Sequence, residues 1–121
     1  MQAGGESAEE VAAEMAARDG AATEQFISAA IDYWIAARDI EDCQQACNNA
    51  HFLAFAPVMS LVNADGRHRQ ALAVMRQYRA AAPPVDIARG RLGDRLATLP
   101  AYSGFGETGH LEYPTLEPGP V

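Results

Sequence analysis

Phe26, Ile27, Ala30, Ile31, Trp34 and Ile35 follow one another at i, i+1, i+4, i+5, i+8 and i+9. At about 100° per residue this spacing gathers all six on one broad helical face, with Glu24, Ser28 and Asp32 opposite. A strand would send alternate members to opposite faces, so the stretch commits the chain to a helix with one wholly apolar side. Such a face has to be covered by other elements, which predicts the centre of an all-α core.

The flanking sequence predicts what covers it. Ser7-Ala8-Glu9-Glu10 has the form of a capping box, which starts a first helix over residues 8–18 with Val11 and Met15 as its narrow apolar stripe and Gly20 as its stop. Thr23 is placed to cap the strong helix, and Asp39, with Asp42 three residues on, to cap a third whose seam is Ile40, Cys43, Cys47, Ala50 and Ala54. Pro57 lacks the amide that bonds four residues back, so it kinks or divides that segment near Phe55. Asn63-Ala64-Asp65-Gly66 reads as a turn. A fourth helix over 67–82 then turns Ala71, Val74, Met75 and Tyr78 inward until Pro83-Pro84 stops it, and a fifth from Asp86 carries Leu92, Leu96 and Leu99 until Pro100. The expectation is a compact bundle of four or five short helices over residues 1–100, followed by an irregular Gly/Pro-rich C-terminal arm over 101–121.

Composition limits the classes of function. The chain has 121 residues, enough for one domain, and 25 of them are alanine, so its apolar content is methyl-rich and its core thin. All nine basic residues are arginine, which fits a GC-rich coding sequence better than any surface role. A net charge of −7 opposes general affinity for nucleic acid or anionic membrane. The charge is also divided: ten acids face two arginines between Met1 and Asp42, whereas seven arginines face two acids between Arg67 and Arg95. Opposite charges of this kind pair within one molecule or between copies. No signal-peptide pattern is present, and the longest mostly apolar stretch, 51–62, contains Pro57 and falls short of the roughly 20 residues needed to span a bilayer. The expected setting is the cytoplasm, with no membrane partner.

Cys43, Cys47 and His51 are the most chemically distinctive group, standing at i, i+4 and i+8 on one drifting helix face. Thiolate and imidazole together suit zinc or copper(I), though the three span about 12 Å along a helix, so only adjacent pairs share one ion without a further ligand. Reduced cysteine on an apolar seam also serves as a small core residue, and two thiols one turn apart are within reach of a strained, labile disulfide. The stretch Cys43-Gln44-Gln45-Ala46-Cys47-Asn48-Asn49-Ala50-His51 resembles that of the alkylhydroperoxidase and carboxymuconolactone decarboxylase group, all-helical proteins whose redox members carry Cys-x2-Cys-x3-His. One extra residue separates the cysteines here, and no role is carried over from that group.

Two further sets complete the candidates. Arg67, Arg69, Arg76 and Arg79 form a basic patch on the fourth helix, without the helix-turn-helix setting that would aim them at bases. Tyr102, Phe105, Tyr113 and Leu116 punctuate the arm as anchors, with Tyr102 and Phe105 directed back onto the bundle and Tyr113 and Leu116 directed to a neighbouring subunit or partner. No residue is nominated as catalytic. The functional expectation is a non-catalytic accessory or assembly subunit that binds itself or a larger protein assembly. The alternative is a small metal-binding or thiol-redox module at Cys43, Cys47 and His51.

Overall fold

The computed structural model of the chain describes residues 7–49, 55–102 and 104–117. Three α-helices build it: α1 (Ala8–Asn49), α2 (Phe55–Gln77) and α3 (Val85–Ala97), with short 3-10 turns at Arg79–Ala81 and Pro100–Tyr102. No strand occurs among the described residues, and the fold is all-α. Among the described residues the helices number three, not four or five, because several expected stops are read through.

The first correction concerns α1, which joins the three expected helices into one of 42 residues. Ser7 does cap it, its Oγ accepting from the Glu10 amide at 3.1 Å. Gly20 does not end it, since a mid-helix glycine costs only about 1 kcal/mol relative to alanine and alanine-rich sequence lies on both sides. Thr23 is no cap either: its hydroxyl donates back to the Asp19 carbonyl at 2.9 Å, a bond compatible with an uninterrupted helix. Asp39 is engaged by distant groups instead of by local amides, accepting from the Tyr102 hydroxyl and from Arg67.

The second correction concerns Asn63-Ala64-Asp65-Gly66, which is helical within α2. Ala64 is fully buried there in register with Ala71 and Met75, so burial on one continuous face outweighs the turn preference of Asn and Gly. Prolines act as expected. Pro57 lies in the first turn of α2, where its missing amide leaves no helical bond unmade, and Pro83 and Pro84 separate α2 from α3.

α1 and α2 form an antiparallel hairpin. Asp39 meets Arg67 at 3.1 Å, the Tyr33 and His68 rings stack at 4.2 Å, and Asp19 to Thr23 lie beside Gln77 and Tyr78. Phe26, Ile27, Ala30, Ile31, Trp34 and Ile35 are all buried, as their spacing foretells, together with Ala29 and Ala36. Met75 of α2 and Ala88 and Leu92 of α3 close this core, while Arg91 pairs with Glu24 at its edge.

Candidate interaction surface

α1 is longer than anything that packs on it. At roughly 1.5 Å per residue it extends about 63 Å, whereas α2, at 23 residues, accounts for about 35 Å. Every residue from Ser7 to Ala21 is exposed, including Val11 at 40% and Met15 at 56%. Val11, Met15, Ala22 and Ala29 lie at steps of four, seven and seven, which keeps them on one side of the helix. Ala29 lines the α1–α2 seam with Ala71 and Val74, and Ala22 lies beside Gln77 and Tyr78. The seam therefore runs on past the end of α2 to Met15 and Val11, where no part of the described chain covers it. Glu9, Glu10, Glu14 and Asp19 make this stretch acidic, with Arg18 as its single basic residue.

The arm is held chiefly by the helices, its own backbone adding the turn bond from the Leu111 amide to the Thr108 carbonyl at 3.0 Å. Residues 104–117 contain neither helix nor strand, and their carbonyls are met by side chains from α1 and α3. Arg38 donates to the carbonyls of Gly104 and Phe105 at 3.1 and 2.7 Å, and its guanidinium lies 5.6 Å from the Phe105 ring centroid. Arg89 donates to the Leu111 carbonyl and to the Glu112 carboxylate, both at 2.7 Å, while Trp34 Nε1 donates to the Glu112 carbonyl at 3.1 Å. Composition and periodicity mark none of these three as binding the arm.

The four expected anchors all pack against the core of their own chain. Tyr102 donates to Asp39, and its hydroxyl pKa is raised above 10.0, first by burial and then by the Asp39 carboxylate. Tyr113 meets Phe26 edge-on at 4.9 Å, stacks on Trp34 and donates to the Pro83 carbonyl at 2.8 Å. Burial raises its pKa as well, with Arg89 acting in the opposite direction. Leu116 also lies on the core, so Tyr113 and Leu116, which the sequence reading directs outward, are turned inward.

The expected fourth helix ends at Gln77, so Arg79 lies in the 3-10 turn after α2, and the four arginines of the basic patch are partly engaged. Arg67 pairs with Asp39 and Arg69 with Asp65, whereas Arg79 donates to the Arg76 carbonyl, and neither Arg76 nor Arg79 makes an ion pair among the described residues. Cys43 and Cys47 are free thiols, half-buried and one turn apart on α1. His51 lies outside the described residues. No group of three or more His, Cys, Asp or Glu among the described residues is arranged to hold a metal ion, and His68 is stacked on Tyr33. An open groove of about 360 Å³ between α1 and α2 has Asp32 and Arg67 among its lining residues and a floor of Ala29, Ala71 and Val74.

No helix among the described residues is long and apolar enough to cross a membrane. No protein-family model matches the chain, and neither a curated protein nor a solved structure shows significant similarity to it.

Proposed function

We propose that this chain is a non-catalytic helical subunit that acts by protein–protein contact through the uncovered N-terminal length of α1. The exposed continuation of the α1–α2 seam, with Val11 and Met15 outside any core, carries the reading. An isolated helix of about 14 residues is marginal in water, so a helical length with an ordered apolar stripe and no cover from the described residues gains most from a partner helix. The docked arm supports the same view, because it spends its aromatics on closing the chain's own core and leaves α1 as the principal uncovered element.

The test is the size of the species that contains this chain in its native cells, compared with the Val11→Asp/Met15→Asp double variant. Both positions lie outside the core, so the variant should keep the helical circular dichroism of the parent protein. We expect a species larger than the monomer for the parent and its loss in the variant. A monomer-sized parent, or a variant that keeps the larger species, overturns the proposal.

A further inference from the structure

The occupant of the uncovered seam is suggested by the outer face of α2. Ala64, Ala71 and Met75 turn inward, and the positions opposite them on the wheel are Val58, Val62, Arg69, Ala73 and Arg76, all of which are exposed. This stripe is apolar where α2 begins and basic where it ends. Its one acid, Asp65, pairs with Arg69 at 3.0 Å, which leaves the stripe basic by one charge, two arginines against one acid. The uncovered length of α1 complements the basic end of that stripe in charge, with Val11 and Met15 flanked by Glu10, Glu14 and Asp19 and with Arg18 on the same face. Two such acidic lengths would repel if placed against each other, whereas acidic α1 against basic α2 is favourable.

The geometry of the hairpin makes this match reciprocal. The seam on α1 continues along the line where α2 would lie if it were longer, and α2 ends beside Asp19 to Thr23. A second copy turned about a two-fold axis just past that end, beyond the turn at Arg79–Ala81 that packs on α1 there, places its own α2 on the same line. Its outer face then covers Val11 and Met15. By the same operation its own uncovered α1 length lies on the outer face of the first copy's α2, giving an isologous pair in which nothing is left over. The uncovered length, about 21 Å over 14 residues, lies along the C-terminal part of the roughly 35 Å of α2, which carries Arg69, Ala73 and Arg76.

We infer that the partner is a second copy of this chain, bound as a two-fold dimer in which each copy lays residues 8–21 along the outer face of the other's α2. Glu10, Glu14 and Asp19 of one copy then face Arg69 and Arg76 of the other. This rests on the interaction reading given above and names its partner.

The experiment is a charge exchange followed by light scattering on purified full-length protein. The parent should be a dimer that weakens as salt rises. Glu10→Arg/Glu14→Arg and Arg69→Glu/Arg76→Glu should each dimerise about a hundredfold more weakly, because each sets like charges together. All four positions are exposed, and unchanged circular dichroism confirms that the variants fold. Mixed in equal amounts, the two variants should recover a dimer containing one of each, since both of its contacts again join opposite charges. A monomeric parent, variants that remain dimeric, or a mixture that stays monomeric overturns the inference. A monomeric pure parent alongside a larger species in cells, lost with Val11→Asp/Met15→Asp, leaves the interaction reading standing and removes only the second copy as partner.

Discussion

Trp34 and Tyr113 stack with their planes 5° apart and their centroids separated by 6.0 Å, while the same Trp34 donates through Nε1 to the carbonyl of Glu112, the residue just before Tyr113. One helix side chain thus fixes the arm both by its ring face and by its single donor. The arm has no ladder of its own, so such contacts replace the hydrogen bonds that a strand or helix would have supplied.

Removing the tyrosine should therefore do more than remove a surface ring. Tyr113→Ala loses the contacts with Phe26 and Trp34 and the hydrogen bond to Pro83, and is expected to cost about 3 kcal/mol in urea denaturation, with the Trp34 emission shifting to the red. Tyr113→Phe keeps the rings in place and should cost about 1 kcal/mol. Equal losses in the two variants would show that the hydroxyl and not the ring holds the arm.

Arg38 bridges α1 to the start of the arm through two carbonyls and also pairs with Asp42. Arg38→Ala should lower stability by about 2 kcal/mol and speed amide exchange over 104–112 more than within α2. Arg38→Lys should recover less than half, because an ammonium does not reproduce the planar fork that reaches both carbonyls. Full recovery by lysine would reduce the role to charge alone.

Tyr102 and Tyr113 carry raised pKa values, so the folded state holds their protons more tightly than the unfolded chain does. The sign follows directly. This part of the stability is complete below the ordinary tyrosine value of 10.0 and is lost as pH rises through the higher folded values. Alkaline difference spectra should show tyrosines titrating late, and the melting temperature should fall above about pH 10 more steeply than in the Tyr102→Phe/Tyr113→Phe variant. Identical alkaline slopes would remove the linkage.

Gly66 lies inside α2 with nothing within 4 Å of the place a Cβ would occupy. Gly66→Ala should stabilise the protein by roughly 0.5–1 kcal/mol in thermal denaturation, because alanine restricts the unfolded chain and fits the helix. Destabilisation would mean that the segment turns in solution, as the Asn-Ala-Asp-Gly pattern alone would have it.

Cys43 and Cys47 are half-buried, without the full enclosure of a core thiol. Both should react with a disulfide reagent in native buffer, more slowly than in denaturant. Protection of either thiol until unfolding would place it inside the core that the sequence assigns to the seam.

The chain's sequence determined the elements whose signals are strong and local. The run from Phe26 to Ile35 admits only a helix buried on one broad face, and Pro57, Pro83 and Pro84 fall where helices begin or end, since a missing amide and a ring clash cost about 3 kcal/mol in a helix interior. Gly20, Thr23, Asp39 and the Asn63 to Gly66 turn are weaker signals, worth about 1 kcal/mol each, and continuous burial or alanine-rich neighbours override them. The aromatic residues of the arm mark anchors in the sequence without their sites. Only the tertiary structure brings Trp34 to Glu112 across 78 residues of chain and Arg38 to Phe105 across 67, because those bonds depend on a path through space that no local period encodes. The length of α1 left uncovered was likewise decided there: a stripe of Val11 and Met15 is legible in the sequence, but whether α2 reaches far enough to cover it depends on where the hairpin turns.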